Sequence, residues 1–106
     1  MIPAAQLTDP TVRALVAAIN DGDRAAFLGL LTPDAVLTDD GSQRDLEDWI
    51  DREIFTVNGH LEVESQSSDG RSLVAAYRND TWGQMRTSWS FTVVDGRISL
   101  LATGQA

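Results

Sequence analysis

The apolar residues of this chain change their spacing at Asn58-Gly59, and that change decides the class of fold. Ahead of it they recur every three or four residues, as in helices that bury one stripe. Beyond it they alternate, as in strands that bury one face. Val12, Leu15, Val16 and Ile19 make the first stripe. Asp9-Pro10 opens that helix as an N-cap followed by a proline whose missing N–H costs nothing there, and Gly22 closes it as a left-handed cap. A second, shorter helix starts at Asp23, carries Ala26, Phe27, Leu30 and Leu31, and stops at Thr32-Pro33. Gly29 inside it is unfavourable by roughly 1 kcal/mol relative to alanine, and close packing against the first helix is the expected reason.

A short strand, Ala35–Thr38, then runs into two adjacent carboxylates, Asp39 and Asp40, and a turn at Gly41. Ser42 and Asp45 resemble a capping box, so a third helix is expected from Ser42 to about Phe55, with Leu46, Trp49, Ile50 and Ile54 on one face. Strands follow at His60–Gln66, Ser72–Arg78, Met85–Val94 and Arg97–Thr103. Asp69-Gly70, the Asn79–Gln84 connection and Asp95-Gly96 join them. Helices first and hairpins afterwards imply an α+β domain, with three N-terminal helices packed in a curved antiparallel sheet. Such a sheet leaves a hollow at its open end. Asp39, at a strand end beside a helix presenting Trp49, belongs at that hollow.

At 106 residues the chain holds one core, assigned to residues 8–106, with residues 1–7 expected to be a flexible segment. The absence of cysteine removes disulfides, thiolate nucleophiles and sulfur-rich metal sites. His60, the only histidine, has no partner in the sequence, so no metal and no cofactor are expected. A net charge of −8, from 16 acidic and 8 basic side chains, leaves no basic footprint for nucleic acid or an anionic membrane. Neither a leader pattern nor an apolar run of about 20 residues is visible, and a cytoplasmic location is expected.

Three segments carry a family resemblance: the helix–Gly-Asp–helix corner Ala18–Phe27, the segment Leu31–Asp40, and the final hairpin Val93–Ile98. Through them the chain resembles the nuclear transport factor 2-like superfamily over about Leu7 to Thr103. This group has a cone-shaped, cystatin-like roll and includes ketosteroid isomerase and SnoaL-like polyketide cyclases. The resemblance implies that Asp39 occupies the isomerase's general-base position and Trp49 an aromatic lining its pocket. That enzyme adds an oxyanion hole of a tyrosine and a protonated aspartate. Here the tyrosine position falls on Leu15, and the acid position on Ser90 or, one residue along, Phe91. Loss of one such donor typically costs about 100- to 1,000-fold in rate, so steroid isomerisation is not expected. The superfamily's epoxide hydrolases use an arginine and two aspartates. Arg78-Asn79-Asp80 offers the first pair, but the last strand supplies only Ser99, Leu101 and Thr103.

The expected site therefore joins Asp39, as the candidate catalytic base, to Leu15, Ile19, Trp49, Tyr77, Trp82, Trp89 and Ser90 as ligand-binding residues. One strand carries a conflict. Bulk favours Trp89 and Phe91 facing the helices, whereas the family register turns Ser88 and Ser90 inward. The second choice would leave Trp89 and Phe91, with Leu73, Tyr77 and Ile98, on an outer face that a second subunit must cover, which implies a homodimer. Trp82, in a polar connection, reads as a lid or a dimer contact. The function expected is a small-molecule-binding, SnoaL-like domain with an aromatic-lined apolar pocket and no assigned reaction. The alternatives are a proton-transfer isomerase or cyclase using Asp39, and a non-catalytic homodimerisation or adaptor module.

Overall fold

In a computed structural model describing Met1–Ala106, three helices pack on one face of a six-stranded mixed sheet. Helix α1 spans Pro10–Asp21, with the Asp9 carboxylate accepting from the N–H groups of Thr11 at 2.9 Å and Val12 at 3.0 Å. Its stripe of Val12, Leu15, Val16 and Ile19 is at most 1% exposed, and Gly22 ends it with φ 66°. Helix α2 (Arg24–Gly29) ends sooner than its apolar spacing suggests, because Leu31 already pairs with Ile98 as the start of strand β1 (Leu31–Asp39). The register of β1 shifts between Leu31 and Val36, so Pro33 sits in a bulge, where its lack of an N–H is tolerated. A Cβ on Gly29 would meet nothing within 4 Å. Close packing is therefore not its reason; Gly29 is where α2 gives way to the strand.

The third helix differs from expectation at its start. Asp40 and Gly41 both take positive φ, 49° and 83°, which makes a two-residue hairpin turn and turns Ser42–Arg44 into strand β2 against β1. Asp45, not Ser42, caps helix α3 (Leu46–Ile50), its carboxylate accepting the Asp48 N–H at 3.0 Å. The chain continues through Asp51–Phe55 as a wider π turn, with the Thr56 N–H donating to the Asp51 carbonyl at 2.9 Å.

Strands β3 (His60–Gln66), β4 (Ser72–Asn79), β5 (Gly83–Val94) and β6 (Arg97–Gln105) form the hairpin series. The sheet order is β2-β1-β6-β5-β4-β3, and β1 runs parallel to β6. The wholly antiparallel sheet expected from the hairpins is thus mixed, because β1 covers the edge that β6 would otherwise leave open. The opposite edge is blunted as well. The Asn20 carboxamide takes both backbone groups of Leu61, at 3.0 and 2.8 Å, and the Ile2 N–H donates to the Val63 carbonyl at 2.8 Å. Residues before Thr8 include a short 3-10 turn at Ala4–Gln6, and Leu7 is buried in the core.

The conflict on β5 resolves in favour of bulk. Trp89 and Phe91 face the helices, 2% and 6% exposed, together with Leu73, Tyr77 and Ile98. Ser90 faces outward and is exposed. Burying the two rings outweighs the family register, since leaving them in water would forfeit the largest apolar areas on the strand. The outer face carries small side chains such as Val74, Ala76, Ser88 and Ala102, with Leu100 the larger apolar group among them, so no exposed ring there requires a second subunit. No helix is long and apolar enough to cross a membrane.

Candidate functional site

Strand alternation gathers one patch of inward side chains at the open end. Asp39, the last residue of β1, lies opposite Thr103 of β6, which lies opposite Trp89 of β5. Two residues back along β5, Thr87 is inward as well, and a further two bring Met85 opposite Tyr77 of β4. Three elements close around this patch: α3 contributes Trp49, its π turn contributes Glu53, and the β4–β5 turn contributes Trp82. The space between them measures about 370 Å³. Pockets for small molecules run from about 300 to 1,000 Å³, so this one suits a modest ligand.

The polar atoms of its walls are arranged pairwise. Trp49 donates its indole N–H to Asp39 Oδ2 at 3.1 Å, and Trp82 donates to Glu53 Oε2 at 2.9 Å. Trp89 donates to Thr87 Oγ1 at 2.8 Å. The Tyr77 hydroxyl donates to the Glu53 carbonyl, which the Asn79 side chain also reaches at 2.9 Å. Edge-to-face contacts of Trp89 with Trp49 (centroids 6.5 Å apart) and Tyr77 (5.9 Å) make the wall one aromatic unit. Burial pushes the Tyr77 phenol up to about 12, with the Glu53 charge adding and the Asn79 hydrogen bond opposing. Two glycines make room. A Cβ on Gly59 would lie 2.5 Å from the Tyr77 hydroxyl, and one on Gly104 would lie 2.5 Å from Asp40 Oδ1.

Of the residues singled out from the sequence, Asp39, Trp49, Tyr77, Trp82 and Trp89 come together here. Leu15 and Ile19 do not, being 0% and 1% exposed beneath the middle of the sheet, where the stripe of α1 is consumed by the core. Ser90 is on the opposite side of the sheet. Trp82 is 62% exposed at the mouth, its backbone N–H fixed by Asn79 Oδ1 at 2.8 Å. The lining is aromatic but not uniformly apolar, since Asp39, Asp40, Glu53 and Arg44 share it. Sequence reasoning missed Arg44, Glu53, Thr87 and Thr103. Thr87 follows from Trp89 by strand parity, and Arg44 from the Asp40-Gly41 hairpin, which sets it opposite inward-facing Leu37. Glu53 depends on the π turn, which leaves no mark in the residue pattern.

A larger cleft of about 540 Å³ lies at the end of α1 and holds Arg78, Asp80, His60 and Asn58. Only Ile54 and Phe55 are apolar there, so it gives an organic ligand little to bury against. Arg78 and Asp80 take no part in the Asp39 pocket. No three His, Asp or Glu side chains are close enough together to hold a metal ion.

These features define the class of protein: a small α+β cone of the nuclear transport factor 2-like, ketosteroid isomerase-like fold. No family model and no curated protein matches the sequence, so the likeness rests on shape. A candidate polyketide cyclase from Sinorhizobium meliloti superposes with a TM-score of 0.76 at 24% identity, over 96% of this chain and 99% of that one. A protein with the ketosteroid isomerase-like fold from Catenulispora acidiphila, in complex with trimethylamine, scores 0.73 at 17% identity, over 91% and 85%. An NTF2-like protein of unknown function from Cytophaga hutchinsonii scores 0.71 at 15% identity, over 91% and 87%. Identities this low carry the fold and not the chemistry.

Proposed function

We propose that the open end of the cone binds a small molecule with an apolar body and commits it to no reaction. The observation that carries the reading is the cavity of about 370 Å³ walled by Trp49, Tyr77 and Trp89. The Catenulispora acidiphila relative, crystallised with trimethylamine, supports it by analogy of shape. The walls also offer a developing oxyanion no side-chain donor beyond the exposed Arg44 and Gln105. The indole and phenol donors are bonded within the protein, and Leu15 and Ser90 supply nothing to the cavity. A panel of aromatic and polyketide-like compounds should contain members that raise the melting temperature and shift the indole N–H resonances of Trp49 and Trp82. Silence in both readouts across the panel would defeat the reading.

Proton transfer by Asp39 is the second reading, favoured by one detail: Trp49 holds only Oδ2, and Oδ1 accepts no hydrogen bond from the protein. Under it, Asp39→Asn abolishes turnover of an enolisable ketone at an unchanged melting temperature. Pairing of two copies through the outer sheet face is supported by its apolar side chains Val74, Ala102 and Leu100, and sedimentation velocity reads it directly.

A further inference from the structure

We infer that the molecule taken by this pocket is an organic ammonium, an apolar body bearing a hydrogen-bond-donating, positively charged nitrogen. The inference rests on the binding reading above and adds the chemical class. Its basis is the direction of the hydrogen bonds. Each aromatic N–H or O–H of the wall is already spent on a protein acceptor: Trp49 on Asp39, Trp82 on Glu53, Trp89 on Thr87 and Tyr77 on the Glu53 carbonyl. Apart from the exposed Arg44 and Gln105 at the rim, what stays open is acceptor capacity. Asp39 uses Oδ2 only, and Asp40 uses Oδ1 only, for the Gln105 N–H at 3.2 Å. A ligand that brought further acceptors would find donors only in the exposed Arg44 and Gln105 side chains, while one that brought N–H donors would find carboxylate oxygens on the better desolvated side.

Charge points the same way. Asp39, Asp40 and Glu53 line the cavity against a single lining cation, Arg44, which makes no ion pair. Glu53 is shared with Arg52 at 3.7 Å, and even with that guanidinium counted the carboxylates are in excess, three to two. Arg44 is exposed on a three-residue edge strand, whereas Asp39 is half-buried against an indole, so the anionic side is the better desolvated. Trp82, 62% exposed at the mouth, is the ring of the site open enough to meet a ligand's cation.

The test is a matched trio of one size, phenethylamine, phenethyl alcohol and phenylacetate, titrated calorimetrically into the intact chain, with indole N–H resonances locating the site. Phenethylamine should bind about tenfold tighter than the alcohol, and phenylacetate weakest of the three. Asp39→Asn, which keeps an acceptor for Trp49 but removes the charge, should shrink the amine-to-alcohol ratio severalfold. Equal binding of amine and alcohol, or tighter binding of phenylacetate, overturns the ammonium assignment and leaves the pocket standing. Failure of all three to shift the Trp49 and Trp82 resonances overturns the pocket, and this assignment with it.

Discussion

Two aspartates at opposite ends of the cone meet opposite fates. At the closed end Asp9 is 7% exposed and fully engaged. Its Oδ1 caps α1 through Thr11 and Val12, and its Oδ2 receives the Arg71 Nε at 3.0 Å. Gly70 brings the β3–β4 turn onto this cap, since a Cβ there would lie 2.6 Å from the Asp9 nitrogen. At the open end Asp39 has one donor, the Trp49 indole, and a free oxygen beside a cavity. The same carboxylate is fully bonded in one place and left with an open oxygen in the other. The number of donors around each, not its residue type, separates the acid spent on structure from the acid left open to the cavity.

Removing each carboxylate should separate the two ends most widely. Asp9→Ala loses an N-cap and the Arg71 partner, and should cost about 2 kcal/mol, lowering the melting temperature by roughly 9 °C. Asp39→Asn should stay within about 0.5 kcal/mol of the parent, because the amide oxygen still accepts from Trp49. Urea titration of both variants checks this, and equal losses would erase the distinction.

Acid offers a second, smaller lever on the same contrast. Burial alone would raise the Asp9 pKa, but hydrogen bonds from Val12, Arg71 and Thr11 outweigh it and hold the carboxyl below its ordinary 3.8. A depressed carboxyl contributes stability in full above its unfolded value and loses it as pH falls through the folded one. The stability gap between the parent and Asp9→Asn should therefore be full near pH 6 and close progressively below about pH 4. A gap that persisted unchanged to the lowest pH would mean that the cap does not depend on charge.

Much of the fold was legible because hydrophobic period and turn dipeptides agree along most of the chain. The stripe Val12, Leu15, Val16, Ile19 and the strand His60–Gln66 fell where their spacing puts them. Asp95-Gly96 read as a hairpin and adopts φ 51° and 77°. Asp40-Gly41 adopts nearly the same angles, yet Ser42 and Asp45 imitate a capping box, and the hairpin hides behind it. That one misreading hid Arg44. The site was legible where parity or a helix face decides it, as for Trp49, Tyr77 and Trp89. It was illegible where a contact spans distant segments, as between Glu53 and Trp82, 29 residues apart. The family register misplaced Ser90 because it weighed a catalytic position above the burial of Trp89 and Phe91.

Tyr77 belongs to both regimes, being 5% exposed yet part of the cavity wall. Tyr77→Phe removes one hydrogen bond to the Glu53 carbonyl while Asn79 retains the other at 2.9 Å, so the loss should be about 1 kcal/mol at neutral pH. Its phenol, pushed up to about 12 chiefly by burial, contributes in full below its unfolded value near 10 and is lost as pH rises through the folded one. The penalty of Tyr77→Phe should then shrink between about pH 10 and 12. Because the chain has a single tyrosine, the phenolate absorbance of the folded protein reports this group alone. A midpoint near 12 places the hydroxyl with the core, whereas a midpoint near the ordinary 10 would place it with the water of the open pocket.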